Sequence, residues 1–274
     1  VEPFVTTVAE VSAVAERLWP LSGAEDWDAP GLLSGDPAAS VSLIVLAVDA
    51  VADTVDEAVE LGADVLLVHH PLLMRGVTTV AETTAKGALL SRLIRGGCAL
   101  YSAHTNADIV ASGTSARLAE LLQLTDALPI VDTAPGLGLG RVGALAEPTT
   151  LGALARLLAG ILPPTATGVR VAGQFDRPVS RVALCGGAGD SLLGEAAVRS
   201  ADVYITSDLR HHPTSESVET ARVAGGPALI DVSHWASEWL WLETAAAELR
   251  SELPGVEVIV SELRTDPWDF VVVQ

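Results

Sequence analysis

Short bursts of apolar residues alternate with amphipathic stretches along almost the whole chain, and this alternation limits the fold more than any other feature. Val41–Val48 and Asp64–Val68 are typical of buried strands, and Val51–Leu61 between them has the spacing of a helix. Strands that alternate with helices usually pair side by side, so the pattern predicts a mostly parallel sheet with right-handed crossovers. No apolar run reaches the roughly 20 residues of a membrane helix, so no membrane partner is expected.

The same alternation predicts elements throughout the sequence. The predicted helices are Thr6–Trp19, Val51–Leu61, Lys86–Arg95, Ser112–Leu122, Leu151–Leu158 and Trp235–Leu253. The predicted strands are Val41–Val48, Asp64–Val68, Cys98–Ala103, Arg141–Ala146, Val169–Ala172, Val182–Cys185, Val203–Thr206, Ala228–Val232, Val256–Leu263 and Phe270–Val273. Asp132–Gly140 is rich in Gly and Pro and is predicted to be a hinge between lobes 1–131 and 132–274, with the last strands free to return to the first lobe. We therefore predict an α/β fold of two similar lobes, with mixed, largely parallel sheets flanked by helices.

An internal repeat supports the two-lobe prediction. A shift of 138 residues aligns Val41–Val65 with Val179–Val203, with nine identities over 25 positions and no gap. Both segments continue to a His-His-Pro triplet, then to a strand that precedes a histidine and, four residues later, a carboxylate. This shared order of features favours an ancient duplication.

Composition narrows the classes of function. The net charge is −19 and the sequence pI is about 4.5, so the surface repels phosphate backbones and nucleic acid is not an expected partner. Cys98 and Cys185 lie in apolar, strand-like segments and are predicted to be buried small side chains rather than a disulfide. The sequence begins with no secretory pattern, so the cytoplasm is the expected compartment.

All six histidines fall in four short segments, and each segment follows a predicted strand. Ligands of open α/β sheets collect at the carboxyl ends of strands, so these positions suit a binding site. His69 and His70 precede a proline at a strand end, where neighbouring side chains can point to two adjacent metal ions. The alternative is one loop histidine and one core histidine.

Two further pairs combine a histidine with a carboxylate four residues later. His234 and Glu238 begin a predicted helix and share one face, so both can reach one ion; a surface pair at a helix N-terminus is the alternative. Asp108 follows His104 across a turn and is the better candidate ligand of that pair. His104 can be a ligand, a hydrogen-bond partner of a ligand, a proton carrier or a loop histidine.

Two other side chains are candidates for the same region. His212 follows another predicted strand and can bind substrate or a metal ligand, or simply lie in a polar helix start that Asp208 caps. Trp27, together with Asp28, lies near a glycine turn, where the two residues can line a pocket or simply pack. Imidazole and carboxylate ligands favour Zn, Fe, Mn, Co or Ni over Ca or Mg, and two adjacent ions would lower the pKa of a bridging water and favour hydrolysis.

The motifs of the chain resemble those of the Nif-three-like family, whose members are often named GTP cyclohydrolase 1 type 2 homologues. The matching pieces are, in order, Glu25-Asp26-Trp27-Asp28 with Gly31-Leu32, Val68-His69-His70-Pro71-Leu72, His104-Thr105-Asn106 with Asp108, Thr206-Ser207-Asp208 with His212, His234-Trp235-Ala236-Ser237-Glu238 and Asp266-Pro267-Trp268-Asp269-Phe270-Val271. Ser207 and Ser233 depart from the family pattern, where Gly is usual. Together the pieces span nearly the whole chain in the family's order.

The resemblance implies a dinuclear metal centre in a cleft between the lobes. By the family pattern, His70 and Asp108 would hold one divalent ion, His69 and His234 would hold the other, and Glu238 would bridge them. The resemblance also implies a homohexamer and, given the 274 residues, the compact form without the inserted domain of some relatives.

Two functions fit these expectations. The first is a metal-dependent hydrolase, such as a GTP cyclohydrolase-like enzyme, in which a metal-bound water attacks a nucleotide or related small molecule and His104 or His212 moves protons. The second is a non-enzymatic metal-binding or metal-carrier ring protein.

Overall fold

The computed structural model describes residues 5–273, which divide into two compact units. The first unit runs up to Ala107 and includes Leu242–Thr265, and the second comprises Asp108–Trp241 with the residues from Asp266 onwards. Each unit has its own mixed sheet with helices, so the predicted α/β fold is confirmed. No helix within residues 5–273 has the length and hydropathy needed to cross a membrane.

The helices and strands follow one another along the chain much as the alternating pattern predicts. The helices are α1 (Val8–Leu18), α2 (Ala52–Glu60), α3 (Ala85–Gly96), α4 (Thr105–Asp108), α5 (Thr114–Leu121), α6 (Leu151–Ile161), α7 (Ala196–Arg199), α8 (His211–Ala224) and α9 (His234–Glu252). The strands are β1 (Gly31–Ser34), β2 (Leu43–Ala47), β3 (Val65–Val68), β4 (Ala99–Ser102), β5 (Leu124–Leu128), β6 (Val131–Ala134), β7 (Leu137–Leu139), β8 (Arg141–Thr150), β9 (Arg170–Ala172), β10 (Pro178–Ala188), β11 (Val203–Ser207), β12 (Ala228–Val232) and β13 (Glu257–Val260).

Local sequence signals set several helix ends. The Thr7 hydroxyl accepts from the Glu10 N–H at 3.3 Å and the Glu10 carboxylate accepts from the Thr7 N–H at 2.7 Å, which is a capping box at the start of α1. Such a cap stabilises a helix by about 1 kcal/mol. Helix α3 ends at Gly97, whose φ of 69° only glycine adopts without cost.

The sheet of the first unit has the order β1-β4-β3-β2-β13. Strands β13, β2, β3 and β4 are parallel, and β1 runs antiparallel to β4 at the edge. Val55 of α2 and Leu93 of α3 join Val45, Leu66 and Leu100 in one buried core cluster. The burial of each such side chain contributes roughly 1.5–3 kcal/mol to stability. Because β2, β3 and β4 are parallel, their carboxyl ends lie at one edge of this sheet.

The sheet of the second unit has the order β5-β8-β10-β11-β12-β9. Strands β10, β11 and β12 are parallel, whereas β5, β8 and β9 pair antiparallel with their neighbours. Val142, Ala183, Tyr204 and Leu229 lie in its core cluster. The parallel strands again bring the carboxyl ends of β10, β11 and β12 to one edge.

The predicted internal repeat appears as a repeated hydrogen-bond pattern. In the first unit, the Asp64 carboxylate, just before β3, accepts from the Ser42 N–H at 2.6 Å. In the second unit, the Asp202 carboxylate, just before β11, accepts from the Ser180 N–H at 2.8 Å. Both pairs are related by the same shift of 138 residues, so the matched residues perform the same structural task in each unit.

Two sequence expectations need correction. The segment predicted as a hinge forms a hairpin of β6 and β7, with a turn at Gly136, where φ is 78°. The predicted strand Phe270–Val273 is not a strand; Phe270 and Val273 are 80% and 88% exposed, and no described strand pairs with them. Apolar, β-branched residues favour a strand only where another strand offers hydrogen bonds.

The cysteines fit their predicted structural role in part. Cys98 is buried and Cys185 is partly buried, and both are free thiols. Burial raises the pKa of each thiol to about 12. Both therefore remain protonated and unreactive at neutral pH.

Candidate metal centre

Three histidines lie together in the first unit. His69 and His70 follow β3, and His104 follows β4, its parallel neighbour, so the two strand ends bring them to one edge. Candidate ligand atoms of the three rings lie within 4.8 Å of one another. The ring centroids are 5.1 to 5.4 Å apart, and His69 is fully buried. The ends of the parallel strands β3 and β4 thus bring three histidines together within this unit.

Each ring of this cluster makes a hydrogen bond from Nδ1 to an oxygen acceptor. The pairs are His69 with the Ala103 carbonyl at 2.8 Å, His70 with the Asp49 carboxylate at 2.7 Å and His104 with the Asp28 carboxylate at 2.8 Å. These oxygens only accept, so the proton lies on Nδ1 and Nε2 of the neutral ring offers its lone pair. Metal-binding histidines are oriented in this way, so the donor set fits a metal ion.

The carboxylates behind two of the rings are themselves held in place. The Asp28 side chain is buried and accepts from the Thr105 N–H at 3.1 Å and from its hydroxyl at 2.5 Å. Burial alone would raise the pKa of Asp28, but hydrogen bonds from His104 and Thr105 hold it below the usual value. Asp49 also accepts from the Thr265 hydroxyl. Asp28 is therefore an ionised acceptor, and each of the two carboxylates fixes the direction of a ring.

The second unit contains a histidine–glutamate pair. His234 begins α9 and Glu238 follows one turn later, with 2.9 Å between Nε2 and Oε1. The Nδ1 atom of His234 lies 2.7 Å from the carboxylate of Asp208. Burial alone would lower the pKa of His234, but Glu238 and Asp208 on either side raise it to about 11. A metal ion at Nε2 would replace the proton that this ring otherwise keeps.

Gly187 allows the backbone of β10 to approach that pair. A Cβ atom at this position would lie 2.3 Å from Oε1 of Glu238 and 3.3 Å from Nε2 of His234, and φ is 70°. The Gly187 N–H donates to the hydroxyl of Ser237 at 2.9 Å. The absence of a side chain at Gly187 thus provides room for the Glu238 carboxylate.

The remaining predicted site residues have different surroundings. Asp108 ends α4 and accepts from the Thr114 hydroxyl at 2.5 Å. His212 is exposed in the first turn of α8, where its ring lies 5.2 Å from that of His211. Over residues 5–273, neither Asp108 nor His212 joins a close group of three or more candidate ligands.

Asp49 and Asp208 were not predicted as functional partners, although both carry a signal. Asp49 comes two residues after β2, and Asp208 directly follows β11 with a φ of 56° that is uncommon for a residue other than glycine. Each aspartate follows a strand that pairs with a strand followed by a histidine: β2 lies beside β3, and β11 lies beside β12. This position at a strand end is the signal that would have identified both residues. Asp28 was predicted only as part of a pocket wall.

Comparison with known proteins gives consistent matches over nearly the whole chain. A family model described as Duf34/NIF3 (NGG1p interacting factor 3) matches residues 6–267. A protein of Streptomyces coelicolor named GTP cyclohydrolase 1 type 2 homolog is 46% identical over 269 residues, which cover 95% of this chain and 93% of that protein. One of Mycobacterium leprae with the same name is 35% identical over 372 aligned positions, covering 96% and 95%. That alignment is longer than the 274 residues here, so the Mycobacterium protein carries inserted residues.

The fold matches a solved structure as well. The crystal structure of a Bacillus cereus protein related to NIF3 superposes with a TM-score of 0.87 at 22% identity, over 98% of this chain and 100% of that one.

Proposed function

The chain belongs to the Duf34/NIF3 family, and from that premise we propose that it is a hydrolase that uses two divalent metal ions. The proposed substrate is a nucleotide or a related small molecule, in line with the GTP cyclohydrolase name that its relatives carry. The observation that carries the proposal is the shared orientation of four histidine rings, each with Nδ1 bonded to an oxygen acceptor. At His69, His70 and His104 this arrangement leaves Nε2 of the neutral ring as the ligand atom. At His234, a metal ion at Nε2 would replace the proton that the ring shares with Glu238.

The proposed metal ligands are three histidines and two carboxylates. They are His69, His70, Asp108, His234 and Glu238. Neutral imidazole with carboxylate favours Zn, Fe, Mn, Co or Ni, because Ca and Mg prefer oxygen ligands. When bound, such ions would lower the pKa of a coordinated water and stabilise negative charge on the substrate.

The proposal assigns proton transfer to His104, with His212 as the alternative. His104 donates from Nδ1 to the ionised, buried Asp28, which fixes the tautomer and stabilises the ring when it gains a proton. Nε2 of His104 is then the atom that accepts and returns a proton. His104 also lies in the cluster with His69 and His70, so it can instead serve as a further ligand.

A matched pair of variants tests the proposal. Purified protein is analysed for bound metal and incubated with GTP, cyclic amidines and phosphoesters. Glu238→Ala is expected to lower both metal content and turnover at least about 100-fold, whereas Glu243→Ala, an exposed position on the same helix, leaves both unchanged. If neither wild type nor variant turns over any substrate while the wild type holds exchangeable metal, the metal-carrier function replaces the hydrolase.

We also propose that the protein acts as a homohexamer in the cytoplasm, where nucleotide substrates are present. The support for assembly is the exposed apolar segment at Trp268–Val273, in which Phe270, Val272 and Val273 are 75% exposed or more. Contiguous exposed apolar residues commonly mark an interface.

A further inference from the structure

Trp27 is a large aromatic residue beside the histidine cluster of the first unit, yet 58% of its surface is exposed. Its ring centroid lies 5.8 Å from that of His104, with an angle of 78° between the planes. An aromatic side chain that stays largely in water forgoes part of the free energy that its burial would contribute. An aromatic side chain held out beside a polar cluster is well suited to contact a ligand.

The turn that carries Trp27 is tied down on both sides. The Asp28 N–H donates to the Glu25 carbonyl at 2.9 Å, and the Glu25 N–H donates to the Thr105 hydroxyl at 3.0 Å. The Asp28 carboxylate accepts from Thr105 and from His104. Trp27 therefore directly precedes Asp28, which also orients His104, and hydrogen bonds fix the backbone of its turn before any ligand arrives. Binding to such a prepared surface costs little ordering entropy.

We propose that Trp27 is the stacking surface for the planar heteroaromatic ring of the substrate. The inference rests on the proposed function, because it takes the neighbouring His69 and His70 as the metal-binding side of the same site. An indole offers a flat, apolar face with a negative quadrupole, which suits a purine, pyrimidine or pyridine ring better than it suits a phosphate. In a protein with a net charge of −19, the acidic surface gives an anionic substrate no general attraction. A stacking contact therefore supplies affinity that electrostatics does not.

Equilibrium binding to the purified, metal-loaded protein tests the inference without any turnover. The probes are the 5′-monophosphates of guanosine, adenosine and uridine, with ribose 5-phosphate as the probe that lacks a base. The variants are Trp27→Ala and Trp27→Phe, with Phe175→Ala as a control at another exposed aromatic residue, 54% accessible. Isothermal titration calorimetry gives the affinities, and light scattering checks the mass of each variant.

Stacking on Trp27 predicts a specific pattern of affinity loss. Trp27→Ala weakens the binding of the nucleotides about 5- to 100-fold and leaves the binding of ribose 5-phosphate unchanged. Trp27→Phe retains most of the affinity for nucleotides, and Phe175→Ala has no effect on it. The inference is overturned if Trp27→Ala loses as much affinity for ribose 5-phosphate as for the nucleotides, or if its molecular mass changes. It is also overturned if the wild type binds no nucleotide. Normal nucleotide binding without turnover would contradict the hydrolase alone, so the two failures are distinguishable.

Discussion

The four oriented histidines do not all have the same kind of partner. Ala103 holds His69 through a backbone carbonyl, whereas Asp49, Asp28 and Asp208 hold the other rings through carboxylates. A carboxylate raises the basicity of the ring it contacts and so strengthens the bond from Nε2 to a metal ion. A backbone carbonyl cannot be removed by substitution, but each carboxylate can. The acidic partners are therefore where metal affinity can be changed without touching a ligand.

Asp49 gives the first prediction at this scale. Asp49→Ala removes the acceptor of His70 Nδ1 and is expected to weaken metal binding about 10- to 100-fold. Asp49→Asn is expected to have an intermediate metal affinity, because the amide oxygen still accepts the hydrogen bond. Competition with a chelating dye measures the affinity, and thermal unfolding checks the fold. Asp56→Ala, which breaks only an exposed ion pair with Arg92, serves as the control. Equal affinity in the Asp49 and Asp56 variants would contradict an orienting role.

At the scale of elements, a strand can shape a site through its backbone alone. Gly187 lies near the carboxyl end of β10, and its N–H and carbonyl are bonded to Ser237 and Thr206. The absence of a side chain at Gly187 is what leaves room for Glu238. The strand therefore contributes to the candidate site without providing a ligand.

Gly187→Ala tests this contribution against a matched glycine. Gly168 also has a positive φ, 60°, but a Cβ there meets nothing within 4 Å. Both alanine variants are expected to lose roughly 1–2 kcal/mol of stability from the strained backbone. Only Gly187→Ala is expected to lower metal content severalfold, because its methyl group displaces the Glu238 carboxylate. Elemental analysis and chemical denaturation separate the two effects, and similar metal contents would show that the space beside Glu238 is not needed.

Elements were predictable from the sequence where burial alone decides the structure. β3 is buried along its whole length, and its uninterrupted apolar run indicates this directly. β1 and β5 were not predicted, since β1 is mostly only partly buried and β5 is largely exposed. Phe270–Val273 has strand-forming residues, but pairing depends on a neighbour that no local pattern reveals. Likewise, histidines at strand ends predicted the cluster, whereas the bond from His70 to Asp49 depends on how two strand ends face each other.

At the scale of the whole molecule, the exposed segment Trp268–Val273 leads to a prediction about assembly. Single exposed apolar residues are ordinary, such as Val223 on α8 at 88% exposure, but a run that includes Phe270 and Val272 at 80% and 75% is not. A second copy of the chain that covered this run would remove each side chain from water and stabilise the assembly at roughly 25 cal/mol per Å² of buried apolar surface. We expect the chain to have the mass of a hexamer in solution, about 170 kDa from six copies of 28.3 kDa.

A pair of lysine variants tests whether this run drives the assembly. Val272→Lys would place a charge in the contact and is expected to yield smaller species by native mass spectrometry, whereas Val223→Lys should keep the wild-type mass. The cost of burying an unpaired charge exceeds the gain from one valine, so even one substitution should shift the equilibrium. A wild-type mass for Val272→Lys at low micromolar concentration would mean that the contacts between copies lie elsewhere on the surface.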